Sequence, residues 1–311
     1  MRILVIGAGA VGGYFGARLT QAGRDVTFLV RQGRAEQLRR TGLHVIEIQT
    51  GIEFTVQPKL LLASELHANP QTFDVIILST KAYQLGQAIE DFAPAVGPET
   101  AILPLLNGMA HLGTLAAHFG AGAVLGGSSR ISADVDAEGR IIDMDKQLHD
   151  IHYGPIDKVV TPRIQAIDDA LRDCGFEFVL EPDILSFMWN KWTLLSALAS
   201  ITCLLRSTIG SIEAVPYGAE TERSILAESV AIATANGYPP PAPFLAAVET
   251  RLTLPGSDLT ASMHRDMMRG APVEVDHVLG DLLARANGLD VPLLKAAYVQ
   301  LSVYDRARGR A

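Results

Sequence analysis

Residues with the types and spacing to do chemistry stand at both ends of this chain. The opening stretch MRILVIGAGAVGGYFG sets Gly7, Gly9 and Gly12 in the order G-x-G-x-x-G directly after a short apolar run. There the first glycine permits a tight turn, the second lets a pyrophosphate approach the backbone, and the third lets a helix pack closely on the preceding strand. Cations follow where such a cradle would end. Arg31, in VRQGR with Arg34, closes the next apolar run, a place where an NAD-binding chain usually carries an acid for the ribose hydroxyls. A guanidinium forks onto a 2′-phosphate that an acid would repel, so the pattern favours NADP. Lys81, just past the apolar run at 75 to 78, belongs to the same edge.

Far from these lies Lys191, in ILSFMWNKWTLLSALASITCLL. On a helix its neighbours three and four positions away are Phe187, Met188, Leu194 and Leu195, so no carboxylate meets it on its own face. Such a lysine either snorkels to water or is held in a cleft, where desolvation lowers its pKa and makes it a usable proton donor. A compensating carboxylate has to come from elsewhere; Glu274, near the start of a helix behind Pro272, is one candidate, and Asp276 is the next.

The elements that must position these residues follow from period and punctuation. Residues 2 to 6 read as a buried parallel strand, 11 to 22 as a helix stopped by Gly23, and 25 to 30 as a second strand, which together make a βαβ unit. Strands are expected in FDVIILSTKAY and in ETAILPLLNGM, the latter ending in an Asn-Gly turn. AVLGGSSRIS, RIIDMD and DIHYGP continue the sheet, mixed at one edge, with a hairpin turn at 136 to 139. PRIQAIDDALRDCG and FEFVLEP add a helix and a strand, and after Pro182 the pattern turns helical throughout. The expected architecture is an α/β Rossmann domain over residues 1–182, binding NADP, followed by an all-α substrate and catalytic domain over 183–311. Trp189 and Trp192 are expected to anchor the packing between domains.

Composition narrows the function classes. At 48% hydrophobic and 19% charged residues over 311, the chain can bury large cores and needs two domains. A formal net charge of -8, with no basic block, argues against nucleic acid as partner. Cys174 and Cys203 stand far apart without ligand spacing, which indicates neither a disulfide framework nor a zinc site and fits the cytoplasm. The opening apolar run is too short for a secretion signal, and far short of the roughly 20 residues of a membrane helix. The scattered histidines, His149 and His152 included, read as surface or packing residues.

In this order GAGAVG, the VR after the second strand, STKAY, LLNGM, WNKW and ASMHRDMMRGAPVEVDHVLG resemble the ketopantoate reductase (2-dehydropantoate 2-reductase) family over nearly the full length. The resemblance implies a helical domain like that of 6-phosphogluconate dehydrogenases. It implies reduction of a 2-oxo acid by NADPH: ketopantoate to pantoate, on the route to pantothenate. Carried over by position, Lys191 is the general acid, Glu274 the acidic partner that positions substrate, and Asn107 a residue near both the nicotinamide and the lysine. Ser262 matches a substrate-binding serine. Nucleotide contacts are implied at Gly7, Gly9, Ala10, Val11, Gly12, Arg31, Lys81 and Asn107, with no metal, and a homodimer is the family-level expectation.

Departures from the family pattern bear on the substrate. Relatives usually carry asparagines one and two helical turns beyond the lysine, where this chain has Leu195 and Ala199; another, before the glycine of the Glu-bearing helix, is Leu279 here. A pocket that loses amides rejects a substrate whose polar groups would be desolvated without partners. Three readings therefore stand: ketopantoate itself, a different 2-oxo acid or related carbonyl, and a non-catalytic NADPH sensor that would not need Lys191.

Overall fold

A computed structural model describes residues 1–145 and 148–309. The chain divides into one unit of Met1–Leu106 with His111–Leu185 and a second of Asn107–Ala110 with Ser186–Ala311. By contacts the boundary thus falls just after Leu185, inside a helix. The Asn-Gly turn groups with the second unit, which nothing in the local pattern signals.

The first unit contains β1 (Arg2–Ile6), α1 (Ala10–Gln21), β2 (Asp25–Leu29), α2 (Gln32–Thr41), β3 (Leu43–Glu47), β4 (Ile52–Val56), β5 (Lys59–Leu61), α3 (Ala63–Ala68), β6 (Val75–Leu78), α4 (Leu85–Phe92) and β7 (Ala101–Pro104). After α5 (Ala110–Phe119) come β8 (Leu125–Arg130), β9 (Ala133–Val135), β10 (Ile141–Asp143), β11 (Asp150–Pro155), α6 (Pro162–Leu171) and β12 (Glu177–Leu180). Five strands form a sheet in the order β5-β2-β1-β6-β7, every pairing parallel. Its central strands are covered on both faces, which is why Ile3, Leu4 and Val5 and then Val75, Ile76 and Ile77 run apolar without alternation. The chain leaves β1 toward β2 on one side and returns to β6 on the other, so the carboxyl ends of β1 and β6 flank a switch point. The mixed character expected at one edge lies beyond β7: a single parallel bridge, Ile102 to Val124, leads to β8, with β11 antiparallel to it. The hairpin turn at 136 to 139 joins β9 to β10, with Gly139 N donating to Asp136 O at 3.0 Å.

α1 is held from two sides. Toward the sheet, a Cβ at Gly16 would stand 2.5 Å from the Phe28 ring, so only glycine lets helix and strand approach this closely. On the other side the buried Glu47 of β3 accepts from Tyr14 Oη at 2.9 Å, pairs with Arg18 and accepts from Thr50 Oγ1 at 2.8 Å. That network satisfies a carboxylate which would otherwise be costly to bury.

The second unit is helical: α7 (Ile184–Leu205), α8 (Ile209–Glu213), α9 (Gly218–Ala235), α10 (Ala242–Leu252), α11 (Ser262–Met268), a π-helix (Asp276–Gly280) running into α12 (Asp281–Ala284), and α13 (Pro292–Arg308). Ser196 Oγ meets Ser229 Oγ at 3.2 Å, tying α7 to α9, and the Glu228 carboxylate accepts from Leu293 N and Leu294 N at 3.1 and 2.8 Å, capping α13. The tryptophans, expected between domains, are fixed inside this unit: Trp189 stacks on Tyr238 at 5.4 Å, and Trp192 Nε1 donates to Val278 O at 2.9 Å.

Candidate active site

The three glycines of the opening motif have separate physical reasons. Gly7 turns the chain out of β1 with φ of +90°, which side chains rarely adopt. Gly9 is the N-cap of α1, and a Cβ there would meet nothing within 4 Å, so a ligand has open access to the backbone. Gly12 is the packing glycine: a Cβ there would lie 2.1 Å from Ser79 Oγ and 2.5 Å from Gly7 O. Ala10 and Val11 begin α1, whose first N–H groups have no partner within the helix and carry its positive dipole end.

A cavity of about 680 Å³ opens at this point, lined among others by Gly7, Gly9, Arg31, Thr80, Gln84 and Gly139. Its size is that of a small-molecule site. Arg31 is exposed at the N-cap of α2. Thr80, which the sequence reading passed over although it stands in STKAY, presents a buried hydroxyl with no hydrogen-bond partner among the described residues. Lys81 is half-buried at the N-cap of the short 3-10 turn Ala82–Gln84, just past β6. An open glycine face, an orphaned hydroxyl, an arginine at the end of β2 and a helix N-terminus form a donor set that fits a dinucleotide. Arg34 is placed otherwise than its neighbour: its guanidinium donates to Ala8 O at 3.0 and 3.2 Å and to Gly139 O at 2.9 Å. Burial pushes its pKa below the usual arginine value, and those carbonyls occupy the fork that would otherwise grip a 2′-phosphate.

In the helical unit, the residues proposed for chemistry come from segments that meet at one wide turn. The helix expected after Glu274 is a π-helix, closed by Asp281 N donating to Asp276 O. Glu274, half-buried, gives its carbonyl to Val278 N at 3.0 Å and so stands at the head of this turn. The Asn-Gly turn packs against it: Gly108 has φ of +79°, and a Cβ there would lie 2.3 Å from His277 O. From α7, the Trp192 indole reaches Val278 O on the same turn; Lys191, the preceding residue of that helix, is half-buried. Asp276, the other candidate carboxylate, accepts from Tyr298 Oη at 2.9 Å.

Ser262 opens α11 and is exposed; Ala261 N donates to Thr202 Oγ1 at 3.3 Å, which ties that helix start to α7. Two positions later His264 is buried, with neither ring nitrogen partnered among the described residues, and burial together with the Arg265 charge pushes its pKa down. Met263 and Met267 are buried as packing residues, whereas Met268 is exposed. Of the three apolar departures, Leu195 is half-buried and Ala199 and Leu279 are buried.

The chain has relatives among known proteins over nearly its whole length. The family model "Ketopantoate reductase PanE/ApbA" matches residues 3–158, and its C-terminal counterpart matches 183–305. An uncharacterized oxidoreductase of Bacillus subtilis, YkpB, is 36% identical over 98% of this chain and 99% of its own length. The crystal structure of 2-dehydropantoate 2-reductase from Geobacter metallireducens superposes with a TM-score of 0.86 at 26% identity, covering 97% of this chain and 99% of that one. A ternary structure of D-mandelate dehydrogenase with NADH and anilino(oxo)acetate shares the fold, with a TM-score of 0.86 at 19% identity over 99% of each chain. With both domains matched in order and the glycine turn, the Lys191 helix and the Glu274 turn in place, the chain belongs to the ketopantoate reductase family of oxidoreductases.

Proposed function

We propose that this protein reduces a 2-oxo acid with NADPH, 2-dehydropantoate to pantoate being the reaction its family membership favours. The observation that carries the proposal is the π turn at 276–280, where Gly108 of the Asn107 turn packs on His277 O and the Trp192 indole of the Lys191 helix donates to Val278 O, close behind Glu274. Residues 1–182 are assigned nucleotide binding, and residues 183–311 substrate binding and proton transfer. Arg31 supports the 2′-phosphorylated cofactor, with Lys81 beside it and the first N–H groups of α1 on the pyrophosphate. When bound, the nicotinamide supplies a hydride to the ketone carbon. Lys191 holds its ammonium toward the carbonyl oxygen, stabilises the alkoxide as negative charge develops, and delivers the proton that completes the alcohol. Glu274 and Ser262 orient the polar groups of the substrate, and Asn107 places the lysine and the ring. The proposal sets the enzyme in the cytoplasm as a homodimer; both cysteines are free thiols, which suits a reducing compartment.

A second reading has its own support. Leu195, Ala199 and Leu279 replace amides with apolar groups, and the D-mandelate dehydrogenase fold accommodates anilino(oxo)acetate, so a 2-oxo acid with an apolar side chain is the alternative substrate. Loss of NADPH absorbance with ketopantoate and a panel of straight-chain, branched and aromatic 2-oxo acids distinguishes the two. Lys191→Ala is expected to lower kcat by a factor of about 100 or more on whichever substrate is turned over, with NADPH affinity within about twofold of the parent. Undiminished turnover by that variant would remove Lys191 from the mechanism, and absence of NADPH binding by the parent would remove the cofactor assignment.

A further inference from the structure

The β9–β10 hairpin turn borders the cavity that the glycine motif opens, since Val135, Asp136, Ala137 and Gly139 line it together with Gly7, Gly9 and Arg31. It is held there from α2. Arg34 Nη1 donates to Gly139 O at 2.9 Å and to Gln37 Oε1 at 2.7 Å, and Gln37 Nε2 donates to Glu138 O at 2.7 Å. The same guanidinium grips Ala8 O through Nε and Nη2 at 3.2 and 3.0 Å. The fit is close: a Cβ at Gly139, which has φ of +81°, would lie 2.1 Å from Gln37 Nε2 and 2.5 Å from Arg34 Nη1. No carboxylate pairs with Arg34 among the described residues; its guanidinium is held by Ala8 O, Gly139 O and Gln37 Oε1 alone. Asp136 would repel a phosphate from the same wall, but Arg140 neutralises it, with Nε 2.6 Å from Oδ2.

A trans peptide points its carbonyl and the following N–H in opposite directions. Clamping Ala8 O therefore fixes the direction of the Gly9 N–H, in the part of the turn that is open to a ligand. We infer that the turn at 136–139 is a wall of the nucleotide site at its adenosine end, and that Arg34 is a positioning residue that latches this wall to the glycine turn. This rests on the dinucleotide reading above and adds to it a positioning element remote in sequence from the glycine motif. The adenosine end is assigned because the end of β2, where Arg31 stands, is where this fold takes the adenosine ribose.

The test is calorimetric titration of the full chain with NADPH and with 2′,5′-ADP, which carries only the adenosine end. Arg34→Lys keeps the charge and cannot fork onto both carbonyls; it is expected to weaken both ligands equally, by about tenfold to a hundredfold. Gly139→Ala attacks the latch from the hairpin side, and in the double variant the loss should not exceed that of the worse single variant, because both break one device. Arg34→Lys binding 2′,5′-ADP as the parent does, or losses that multiply in the double variant, would overturn the inference even with a lowered melting temperature. If the parent binds NADH and not NADPH, the proposed cofactor preference fails while the latch is read with NADH and ADP-ribose; if it binds neither, both fail.

Discussion

Glu222 carries a stability prediction whose size follows from its surroundings. It sits within α9 with 0% exposure, and neither carboxylate oxygen has a hydrogen-bond partner among the described residues. Burial, and then the charge of Glu213, push its pKa up from 4.5 to about 7, against the opposing pull of Arg223. In the unfolded chain the group ionises near its ordinary value, so between the two pKa values the unfolded state loses a proton that the folded state keeps. Stability therefore falls as pH rises from 4.5, and the loss is complete once pH passes about 7. A shift from 4.5 to about 7 corresponds to an upper bound of about 3 kcal/mol at roughly 1.4 kcal/mol per unit, and relaxation and water penetration reduce this to about 1–2 kcal/mol. Glu222→Gln removes the ionisation and keeps the shape. Part of the loss has already occurred by pH 5, so relative to the parent its melting temperature should gain about 1–6 °C more at pH 8 than at pH 5. Thermal unfolding of both proteins by circular dichroism at pH 5, 6, 7 and 8, at fixed ionic strength, gives the comparison. A constant difference between the two across that range would refute the reasoning, since it would mean that the carboxylate ionises alike in the folded and unfolded chains.

Two further substitutions separate nucleotide binding from catalysis. Gly12→Ala forces a methyl against Ser79 Oγ and the Gly7 carbonyl, and is expected to cost about 1–3 kcal/mol of stability and about tenfold or more in NADPH affinity. Adding Ser79→Ala should restore only part of either, because the Gly7 oxygen is backbone and cannot rotate away; full recovery in calorimetry would show that the serine alone makes the clash. Gly108→Ala drives a methyl into His277 O at a positive φ, displacing the Asn107 turn from the π-helix. Steady-state kinetics should show kcat reduced about tenfold or more while NADPH affinity stays within about twofold, and an unchanged kcat would show that this docking does not serve the reaction.

The Rossmann core was legible because its signals are local. The β1 to β2 unit carries uninterrupted apolar strands, a glycine turn and a helix stop, and the helical run from Ile184 onward follows from period alone. α2 escaped the reading because QGRAEQLRRT buries only Ala35 and Leu38 and has no apolar stripe to announce it. β4 and β5 are short and partly exposed, and were missed for the same reason; β3 is short, and its buried face of Leu43, Val45 and Glu47 ends in a carboxylate that breaks the apolar alternation. Arg34 looked like a second phosphate ligand because its type and spacing match one; only the fold shows that Ala8 O and Gly139 O occupy its fork. Asn107 could be named from its motif, but its grouping with the helical unit depends on Gly108 meeting His277, more than a hundred residues away in the chain.

The π turn is held by contacts that are independent of the residues proposed to set the substrate. Gly108 meets His277 O, and Trp192 donates to Val278 O, so both contacts that gather the proposed residues end on backbone carbonyls. Backbone acceptors do not depend on the identity of the side chains at 277 and 278, and Gly108 contributes no side chain at all. Leu195, Ala199 and Leu279 take part in neither contact. Substitution at those three positions can therefore alter the polarity around a substrate and leave the supports of Asn107, Lys191 and Glu274 in place. The buried state of Ala199 and Leu279 sharpens this: an amide at either position would need hydrogen-bond partners inside the helical unit, whereas the apolar side chains need only packing. Apolar residues at 195, 199 and 279 thus leave both contacts intact, and under the proposed function they bear on the side chain of the substrate and not on the turn that gathers the proposed residues.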